Sequence, residues 1–303
     1  MSSKKHILII GGSSFVAKNF IRLQQDNYII QIVSRTTTGY ENEILLQSFI
    51  NIPSEIFKNI DVVINCAAIV HQPSKVANEL YNEINFTLPI DIALKAKSEG
   101  VTTFVQLSTI AVYGKHEHID INTKETPINS YGKSKLLADQ QLSLMIGDRF
   151  KVVILRPPMI YGKEGAPGNM IRLIKFILKG FPLPLKKLIN KRDFIHIDNL
   201  IGFMNSAICE NASGIFLVSD NSPVLIGELY QTIITALKKT NRAFWMPKIA
   251  FVLMKNIIPG IYDKIFGSLT IDIKPTLKKL SYQPKNIFNE GIIEMVNSLN
   301  NSK

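Results

Sequence analysis

The tyrosine and lysine of Tyr131-Gly132-Lys133-Ser134-Lys135 are spaced for proton transfer. Residues four apart on a helix share a face, so this spacing would place the Lys135 ammonium beside the Tyr131 phenol. A neighbouring positive charge favours the phenolate, and we expect it to lower the pKa of Tyr131 from its usual value of about 10. Such a tyrosine can exchange a proton with a hydroxyl or ketone group of a substrate. The same spacing is also common on ordinary helix faces, which is the simpler interpretation of the pair taken alone.

Two hydroxyl side chains, Ser108 and Thr109, follow the apolar run Val101–Leu107, which has the composition of a buried strand. In parallel α/β sheets, ligands bind beyond the carboxyl ends of the strands. The position after this run therefore predicts that Thr109, or Ser108, hydrogen-bonds the same substrate oxygen as Tyr131.

A glycine-containing turn follows the first apolar run, Ile7–Ile10, and precedes a helical run that starts at Phe15. Strand, glycine turn and helix is the arrangement that binds a dinucleotide, because the helix N-terminus offers free N–H groups and a positive dipole end to the pyrophosphate. Of the glycines in a Gly-x-x-Gly-x-x-Gly pattern only Gly11 is present, and Ser14 and Ala17 occupy the other two positions. A purely structural turn is the alternative. Cofactor contacts are predicted here for Gly11, Ser14, Phe15 and Val16.

The end of the second predicted strand, Tyr28–Val33, bears on the choice of cofactor. An acidic residue at this point hydrogen-bonds a ribose 2′-hydroxyl, whereas an arginine accommodates a 2′-phosphate. The chain has Ser34-Arg35-Thr36 here and no carboxylate before Glu41. Arg35 therefore favours NADP(H) over NAD(H), and an arginine that stacks on adenine without preference is the alternative.

The elements that must position these residues alternate between short apolar strands and helical runs in the first half of the chain. Strands are predicted at Ile7–Ile10, Tyr28–Val33, Asp61–Asn65, Val101–Leu107 and Phe150–Leu155, and helices at Phe15–Leu23, Asn78–Lys97 and Tyr131–Met145. Continuous apolar strands separated by helices predict a parallel sheet covered on both faces, the Rossmann-type doubly wound α/β class. We predict a dinucleotide-binding domain over residues 1–160 and a smaller, mixed substrate-binding lobe over 161–303, with Ile215–Val218 rejoining the main sheet.

The composition of the 303 residues excludes several classes of protein. Hydrophobic residues make up 46% and charged residues 19%, which excludes disorder over most of the chain. The two cysteines, Cys66 and Cys209, exclude a disulfide scaffold and predict a cytoplasmic protein. A net charge of +11 indicates an anionic partner, but the basic residues are spread out, which argues against nucleic acid. No metal site is predicted.

The most membrane-like stretch, Phe244–Phe266, is interrupted by Lys248, Lys255 and Lys264. It therefore falls short of the roughly 20 apolar residues that a spanning helix needs. Amphipathic helices covering a core are predicted here, including one at Pro247–Asn256. A helix that lies on the membrane surface is the alternative.

Four motifs in this order carry a resemblance to a known family: the glycine turn, Asn65-Cys66-Ala67-Ala68, Ser108-Thr109 and Tyr-x-x-x-Lys. The chain resembles the extended short-chain dehydrogenase/reductases, specifically the nucleotide-sugar epimerase, dehydratase and reductase group. The resemblance covers nearly the whole chain and implies NADP(H) or NAD(H) as cofactor, with hydride moving to or from its nicotinamide. It implies catalytic roles for Thr109, Tyr131 and Lys135. The further cofactor-binding residues that it implies are Ala67, Ala68, Asn85, Tyr131, Lys135 and Pro158.

The second half of the chain carries the resemblance to the substrate site. Arg192-Asp193-Phe194-Ile195-His196 is similar to the family's Arg-Asp-Tyr-Ile-His, whose arginine binds the substrate diphosphate, a role that suits a guanidinium fork. The resemblance implies that a UDP-sugar is bound by His71, Thr109, Asn169 and Arg192. It also implies a homodimer through helices at Asn78–Lys97 and Tyr131–Met145. A solvated cation and a loop histidine are the alternatives for Arg192 and His71.

Within the family, Phe181-Pro182-Leu183-Pro184-Leu185 and Gly267-Ser268-Leu269-Thr270-Ile271-Asp272 resemble bacterial O-antigen and capsule enzymes that act at C4 of UDP-N-acetylhexosamines. Arg35 favours an enzyme that exchanges NADPH at each turnover, so we expect reduction of a 4-keto-6-deoxy sugar. A 4-epimerase with tightly bound NAD uses the same residues and is the first alternative. Ile110-Ala111 lies where dehydratases carry an acidic pair, which argues against dehydration. A non-catalytic dinucleotide sensor and a membrane-peripheral enzyme of lipid-linked sugars are further alternatives.

Overall fold

A seven-stranded parallel sheet forms the centre of the computed structural model, which describes residues 4–70, 78–162, 166, 169–180, 182, 189–245, 247 and 267–301. Its strands are β1 (His6–Ile10), β2 (Ile29–Ser34), β3 (Glu43–Leu45), β4 (Val62–Asn65), β5 (Thr103–Leu107), β7 (Lys151–Arg156) and β11 (Gly214–Leu217). The spatial order is β11-β7-β5-β4-β1-β2-β3, and every neighbouring pair is parallel. The order reverses between β1 and β4, which confirms the predicted doubly wound sheet.

The central strands are buried on both faces because their apolar runs are continuous. In β1, Ile7 and Ile9 belong to one hydrophobic core, and Leu8 and Ile10 belong to another. Successive side chains of a strand point to opposite faces, so the two cores lie on opposite sides of the sheet.

Helices cover both faces of this sheet. The helices of the described residues, those of the smaller lobe included, are α1 (Phe15–Gln24), α2 (Asn78–Asn82), α3 (Leu88–Ser98), α4 (Ser130–Ser143), α5 (Asn169–Leu178), α6 (Ile197–Cys209), α7 (Ile226–Ala236), α8 (Lys274–Lys279) and α9 (Phe288–Asn301). A π-helical turn, Glu83–Thr87, joins α2 to α3, and 3-10 turns occupy Ser54–Phe57 and Ile110–Tyr113. α1 and α6 supply Phe20 and Phe203 to one core, whereas α3 and α4 supply Ile92 and Leu142 to the other. The sequence analysis did not predict α6.

A smaller lobe of helices and short strands surrounds a third core. β8 (Met159–Tyr161) pairs with β10 (Phe194–His196), β9 (Lys191–Arg192) with β12 (Val224–Leu225), and β6 (His118–Ile119) with β13 (Thr270–Ile271). α5, α7 and α9 contribute Ile174, Ile233 and Ile292 to the core of this lobe. β11 lies within residues 161–303 in the chain and pairs with β7 at the edge of the main sheet. A domain boundary at residue 160 stays a prediction.

The stretch that most resembled a membrane segment, Phe244–Phe266, lies almost wholly outside the described residues, as does the helix predicted at Pro247–Asn256. In the part of the chain that the structure describes, no helix combines the length and the apolar composition needed to cross a membrane. Contact with a membrane surface stays a prediction.

Candidate active site

Most of the residues predicted to contact the cofactor or to take part in catalysis lie beyond the carboxyl ends of the parallel strands. Gly11 and Ser14 follow β1, Arg35 follows β2, Ala67 and Ala68 follow β4, Thr109 follows β5, and Pro158 follows β7. Tyr131 and Lys135 lie in the first turns of α4. Open parallel sheets bind ligands where the strand order reverses, here between β1 and β4, so these residues surround the expected ligand position.

Gly11 is the tightest point of the turn between β1 and α1. Its φ of +87° favours glycine, and a Cβ built there would lie 2.9 Å from the backbone N of Ala67. Its N–H donates to the carbonyl oxygen of Val33 at 2.9 Å, which binds the turn to the end of β2 as well. The turn and the end of β4 therefore form a cradle that a side chain would fill, as a close approach of backbone to pyrophosphate requires.

Ser14, at the position of the second pattern glycine, is the N-cap of α1. Its Oγ accepts a hydrogen bond from the N–H of Ala17 at 3.2 Å, which satisfies one donor of the first helical turn. The first N–H groups of a helix have no partner within it, and here they belong to Phe15 and Val16. Ser14 therefore has a structural role as the N-cap of α1. The start of this helix keeps the free N–H groups that can bind an anion.

Gly12 has a role that sequence reasoning missed. A Cβ at this residue would lie 2.7 Å from Oγ of Ser34 and 2.8 Å from Cδ1 of Ile32. The absence of a side chain therefore lets the turn pack directly on β2. The sequence Gly11-Gly12 was the feature from which this close contact could have been predicted.

Buried asparagines fix the loop that follows β4. Asn65 accepts a hydrogen bond from the N–H of Ala67 at 3.1 Å and donates to Oε1 of Gln106 at 2.9 Å. Asn85, on the π-helical turn, accepts from the N–H of Ile69 at 2.8 Å and donates to the carbonyl oxygen of Ile69 at 2.9 Å. Asn85 therefore supports the loop, and its contact with a cofactor stays a prediction.

Thr109 and Tyr131 meet at the carboxyl end of β5, where their side chains form a hydrogen bond. Thr109 Oγ1 also accepts from the N–H of Ala111 at 3.1 Å, which fixes the hydroxyl at the start of the 3-10 turn. Gly132 allows α4 to come this close, because a Cβ there would lie 2.7 Å from the carbonyl oxygen of Ala111. Sequence reasoning missed this packing role of Gly132.

Lys135 is buried, and its Nζ donates a hydrogen bond to the carbonyl oxygen of Leu107 at 2.9 Å. Burial lowers the pKa of Lys135 to about 8, although the nearby Asp139 carboxylate and Cys66 thiol oppose that fall. The side chain is therefore charged at neutral pH and loses its charge as the pH rises through about 8.

The pKa of Tyr131 differs from the sequence expectation. Burial raises it to about 12, the hydrogen bond with Thr109 opposes this rise, and the charge of Asp139 adds to it. The expectation that Lys135 lowers the pKa of Tyr131 is wrong for this structure. The reason is desolvation: the Lys135 ammonium is bonded to the Leu107 carbonyl and faces Asp139, so it does not offset the loss of water around the phenol.

Arg35 is exposed beyond β2, with its guanidinium carbon 5.5 Å from the centre of the Phe49 ring. β3 brings the Glu43 carboxylate to the loop after Arg35, where it accepts hydrogen bonds from the N–H of Thr38 at 3.0 Å and from Oγ1 of Thr37 at 3.1 Å. Sequence reasoning missed this carboxylate because the three residues of β3 gave no clear strand pattern. The preference for NADP(H) that Arg35 suggests stays a prediction.

Apart from Thr109, the predicted substrate contacts lie in the smaller lobe or outside the described residues. Arg192, on β9, is half-buried, and its Nη1 donates a hydrogen bond to the carbonyl oxygen of Gly267 at 2.8 Å. Burial lowers the pKa of Arg192, but a guanidinium keeps its charge in proteins. Asn169 is the first residue of α5. His71 lies outside the described residues, as do positions 181 and 183–185 of the segment predicted to pack on the base.

The chain is similar to nucleotide-sugar enzymes over nearly its whole length. Residues 7–217 match the model of the NAD dependent epimerase/dehydratase family. The chain is 30% identical to a UDP-glucose 4-epimerase of Vibrio cholerae, over 95% of this chain and 93% of that protein. It is 23% identical to the N-acetyl-alpha-D-glucosaminyl-diphospho-ditrans,octacis-undecaprenol 4-epimerase of Escherichia coli O157:H7, over 95% and 90% of the two chains.

The fold is also that of a solved structure, the UDP-glucuronic acid 4-epimerase from Bacillus cereus in complex with NAD. The two superpose with a TM-score of 0.78 over 98% of this chain and 99% of that one. Their sequences are 18% identical, so the similarity concerns the fold.

Proposed function

The chain belongs to the NAD-dependent epimerase/dehydratase family, and we propose that it is a UDP-sugar 4-epimerase that works with NAD. The observation that carries the proposal is the hydrogen bond between Tyr131 and Thr109 at the carboxyl edge of the sheet, with buried Lys135 one turn along α4. The 30% identity to a UDP-glucose 4-epimerase over 95% of the chain supports epimerisation rather than the reduction that the sequence analysis favoured.

The residues at this edge fit a dinucleotide. The cradle at Gly11 leaves no space for a Cβ, and the N–H groups of Phe15 and Val16 begin a helix whose positive dipole end favours a pyrophosphate. Lys135 and Tyr131 would hold the nicotinamide ribose. When bound, NAD would supply reversible hydride transfer at C4 of the sugar.

In the proposed reaction, Thr109 and Tyr131 bind the C4 oxygen and Tyr131 exchanges its proton. A phenol whose pKa is about 12 keeps its proton at neutral pH and is a strong base once it has ionised. Ionisation of Tyr131 is therefore the step that the site must assist. Among the described residues, the hydrogen bond with Thr109 is the interaction that lowers the pKa of Tyr131.

Arg192 is the residue that we assign to the substrate diphosphate. Arg192 is half-buried in the smaller lobe, and the planar fork of donors on its guanidinium matches phosphate oxygens. The net charge of +11 also supports an anionic ligand. Contacts from Asn169 and His71 stay predictions.

Reduction of a 4-keto sugar with NADPH is the second candidate activity. Arg35, exposed at the end of β2, favours it because a 2′-phosphate needs a cation at this point. A lipid-linked sugar diphosphate is the second candidate substrate, since the name of the Escherichia coli relative describes one.

A homodimer through α3 and α4 is part of the proposal. Leu94 on α3 and Leu137 on α4 are 52% and 42% exposed, although both are large apolar side chains. Exposed apolar surface on adjoining helices is a feature of protein interfaces. A cytoplasmic location, to which the free thiols of Cys66 and Cys209 are suited, also stays a prediction.

Epimerisation is tested by incubating the purified protein with UDP-glucose, UDP-GlcNAc or an N-acetylglucosaminyl diphospholipid and following the C4 epimers by NMR. Tyr131→Phe should lower kcat by about 10²- to 10⁴-fold, the usual contribution of a general acid–base. Tyr28→Phe is the matched control, because the Tyr28 hydroxyl bonds Asn205 at 2.7 Å, and Tyr28 precedes β2 at the opposite edge of the sheet.

The outcomes separate the candidates. Epimerisation that Tyr131→Phe abolishes and Tyr28→Phe retains would support the proposal, whereas more than a tenth of the activity left in Tyr131→Phe would refute the mechanism. NADPH consumption with a UDP-4-keto-6-deoxy sugar, and no epimerisation, would identify the reductase. Dinucleotide binding without turnover of any of these substrates would identify the non-catalytic sensor.

A further inference from the structure

A buried carboxylate lies directly behind the Tyr131–Lys135 pair. Asp139 is one helical turn beyond Lys135 on α4 and has no solvent exposure. Its Oδ2 accepts hydrogen bonds from Oγ of Ser108 at 2.7 Å and from Nε of Arg156 at 2.9 Å. Among the described residues, its Oδ1 has no hydrogen-bond partner although it is buried. A buried carboxylate oxygen without a partner is costly, so its presence here calls for a reason other than folding stability.

These hydrogen bonds join three parts of the site. Ser108 immediately precedes Thr109, and Arg156 immediately precedes Pro157-Pro158 at the end of β7. We propose that Asp139 is a positioning residue, which holds α4 against the ends of β5 and β7 and keeps the Lys135 ammonium charged at the pH of the reaction. The proposal rests on the proposed function, in which Lys135 in its charged form holds the nicotinamide ribose beside Tyr131.

The electrostatics around Lys135 support this role. Among the described residues, the groups whose charge acts on Lys135 are Asp139, on its own helix, and Cys66, directly after β4. Burial raises the pKa of the Cys66 thiol to about 12, so this thiol is neutral near pH 8. Asp139 is therefore the anion that opposes the loss of the Lys135 proton. Asp139 also acts on Tyr131, where its charge raises the pKa of the phenol.

The Asp139 carboxylate also pairs with a cation, the guanidinium of Arg156. Arg156 is buried, and its Nη1 donates hydrogen bonds to the hydroxyl of Tyr113 at 2.7 Å and to Oε1 of Glu125 at 2.9 Å. Burial raises the pKa of Asp139, while Arg156, Ser108 and Lys135 act in the opposite direction. The guanidinium at 2.9 Å thus favours the ionised carboxylate that the proposal requires.

The test is the pH profile of kcat in wild type, Asp139→Asn and Glu125→Gln. Asparagine keeps the shape of the side chain and a carbonyl acceptor but removes the charge. Without that charge the Lys135 ammonium loses its proton at lower pH, so the alkaline limb of the profile should move down by about one to three pH units. Glu125→Gln removes the partly exposed carboxylate on the other side of Arg156 and should leave the limb unchanged. An unchanged limb in folded Asp139→Asn would overturn the proposal.

Two further measurements keep the test decisive. If Asp139→Asn does not fold because Arg156 is left unpaired, Asp139→Asn with Arg156→Gln removes both charges and should show the same shift. Failure of both variants to fold would leave Asp139 a structural role alone and overturn the proposal.

If the wild type does not epimerise any UDP-sugar, the proposed function fails. NMR titration of ¹³C-labelled lysine, with Lys135 assigned from Lys135→Met, then measures the same shift without turnover.

Discussion

Replacing Gly11 with alanine tests whether the turn after β1 and the end of β4 form one tight cradle. The new Cβ would lie 2.9 Å from the N of Ala67, 3.1 Å from its Cα and 3.1 Å from the carbonyl carbon of Cys66. All three are backbone atoms, and the Ala67 N–H is bonded to Asn65 at 3.1 Å, so this neighbour resists displacement. A second cost comes from the φ of +87°, about 1–2 kcal/mol for a residue other than glycine.

Gly100→Ala is the matched control. Gly100 has a φ of +86°, and nothing lies within 4 Å of a Cβ built there. This variant carries the backbone strain without the clash and should cost about 1–2 kcal/mol. Gly11→Ala should cost about 1–3 kcal/mol more, the usual penalty of overpacking. At roughly 2–4 °C per kcal/mol, the Tm of Gly11→Ala should lie about 2–12 °C below that of Gly100→Ala.

The assay is thermal unfolding of both variants and wild type with and without NAD. At a free NAD concentration of about 100 times Kd, wild type should gain about 2.7 kcal/mol of stability. Gly100→Ala should keep this gain, since residue 100 precedes β5 at the opposite edge of the sheet. Gly11→Ala should lose most of it, because the methyl group fills the cradle. Equal melting temperatures for the two variants would refute the cradle, and an undiminished NAD shift in Gly11→Ala would refute its assignment to the cofactor.

Arg192→Ala should raise KM for the UDP-sugar about 10- to 100-fold in steady-state kinetics, since a hydrogen bond to a charged group contributes about 1.5–3 kcal/mol. Arg192→Lys should recover part of that loss as a point charge, and an unaltered KM in both would exclude Arg192 from the substrate site. Burial raises the pKa of Asp193 from 3.8 to about 6, so folding stability is lost as the pH rises through 6. Asp193→Asn, whose amide oxygen can still accept from the Ile271 N–H, should exceed wild type by up to about 3 kcal/mol in thermal unfolding at pH 8 and by little at pH 4. Leu94→Glu combined with Leu137→Glu should leave a folded monomer in analytical ultracentrifugation, and a dimer that survives would contradict the α3–α4 interface.

Local patterns in the sequence determined the sheet and the positions of the reactive residues. The apolar runs Ile7–Ile10 and Asp61–Asn65 predicted strands buried on both faces, and they correspond to β1 and β4. Thr109 follows a strand, and the Tyr131–Lys135 spacing lies on a helix, as the sequence analysis predicted. These features follow from the sequence because each depends on neighbours a few residues away.

Only the tertiary structure decided which charged groups meet in the site and how they shift the pKa values there. Asp139 pairs with Arg156, and the Glu43 carboxylate reaches the loop after β2. Burial raises the pKa of Tyr131, where the Tyr-x-x-x-Lys spacing had suggested a fall. A pKa depends on how much water a group loses and on the charges that surround it. Both are set by the packing of α4 against β5 and β7, which brings together residues that no local pattern in the chain connects.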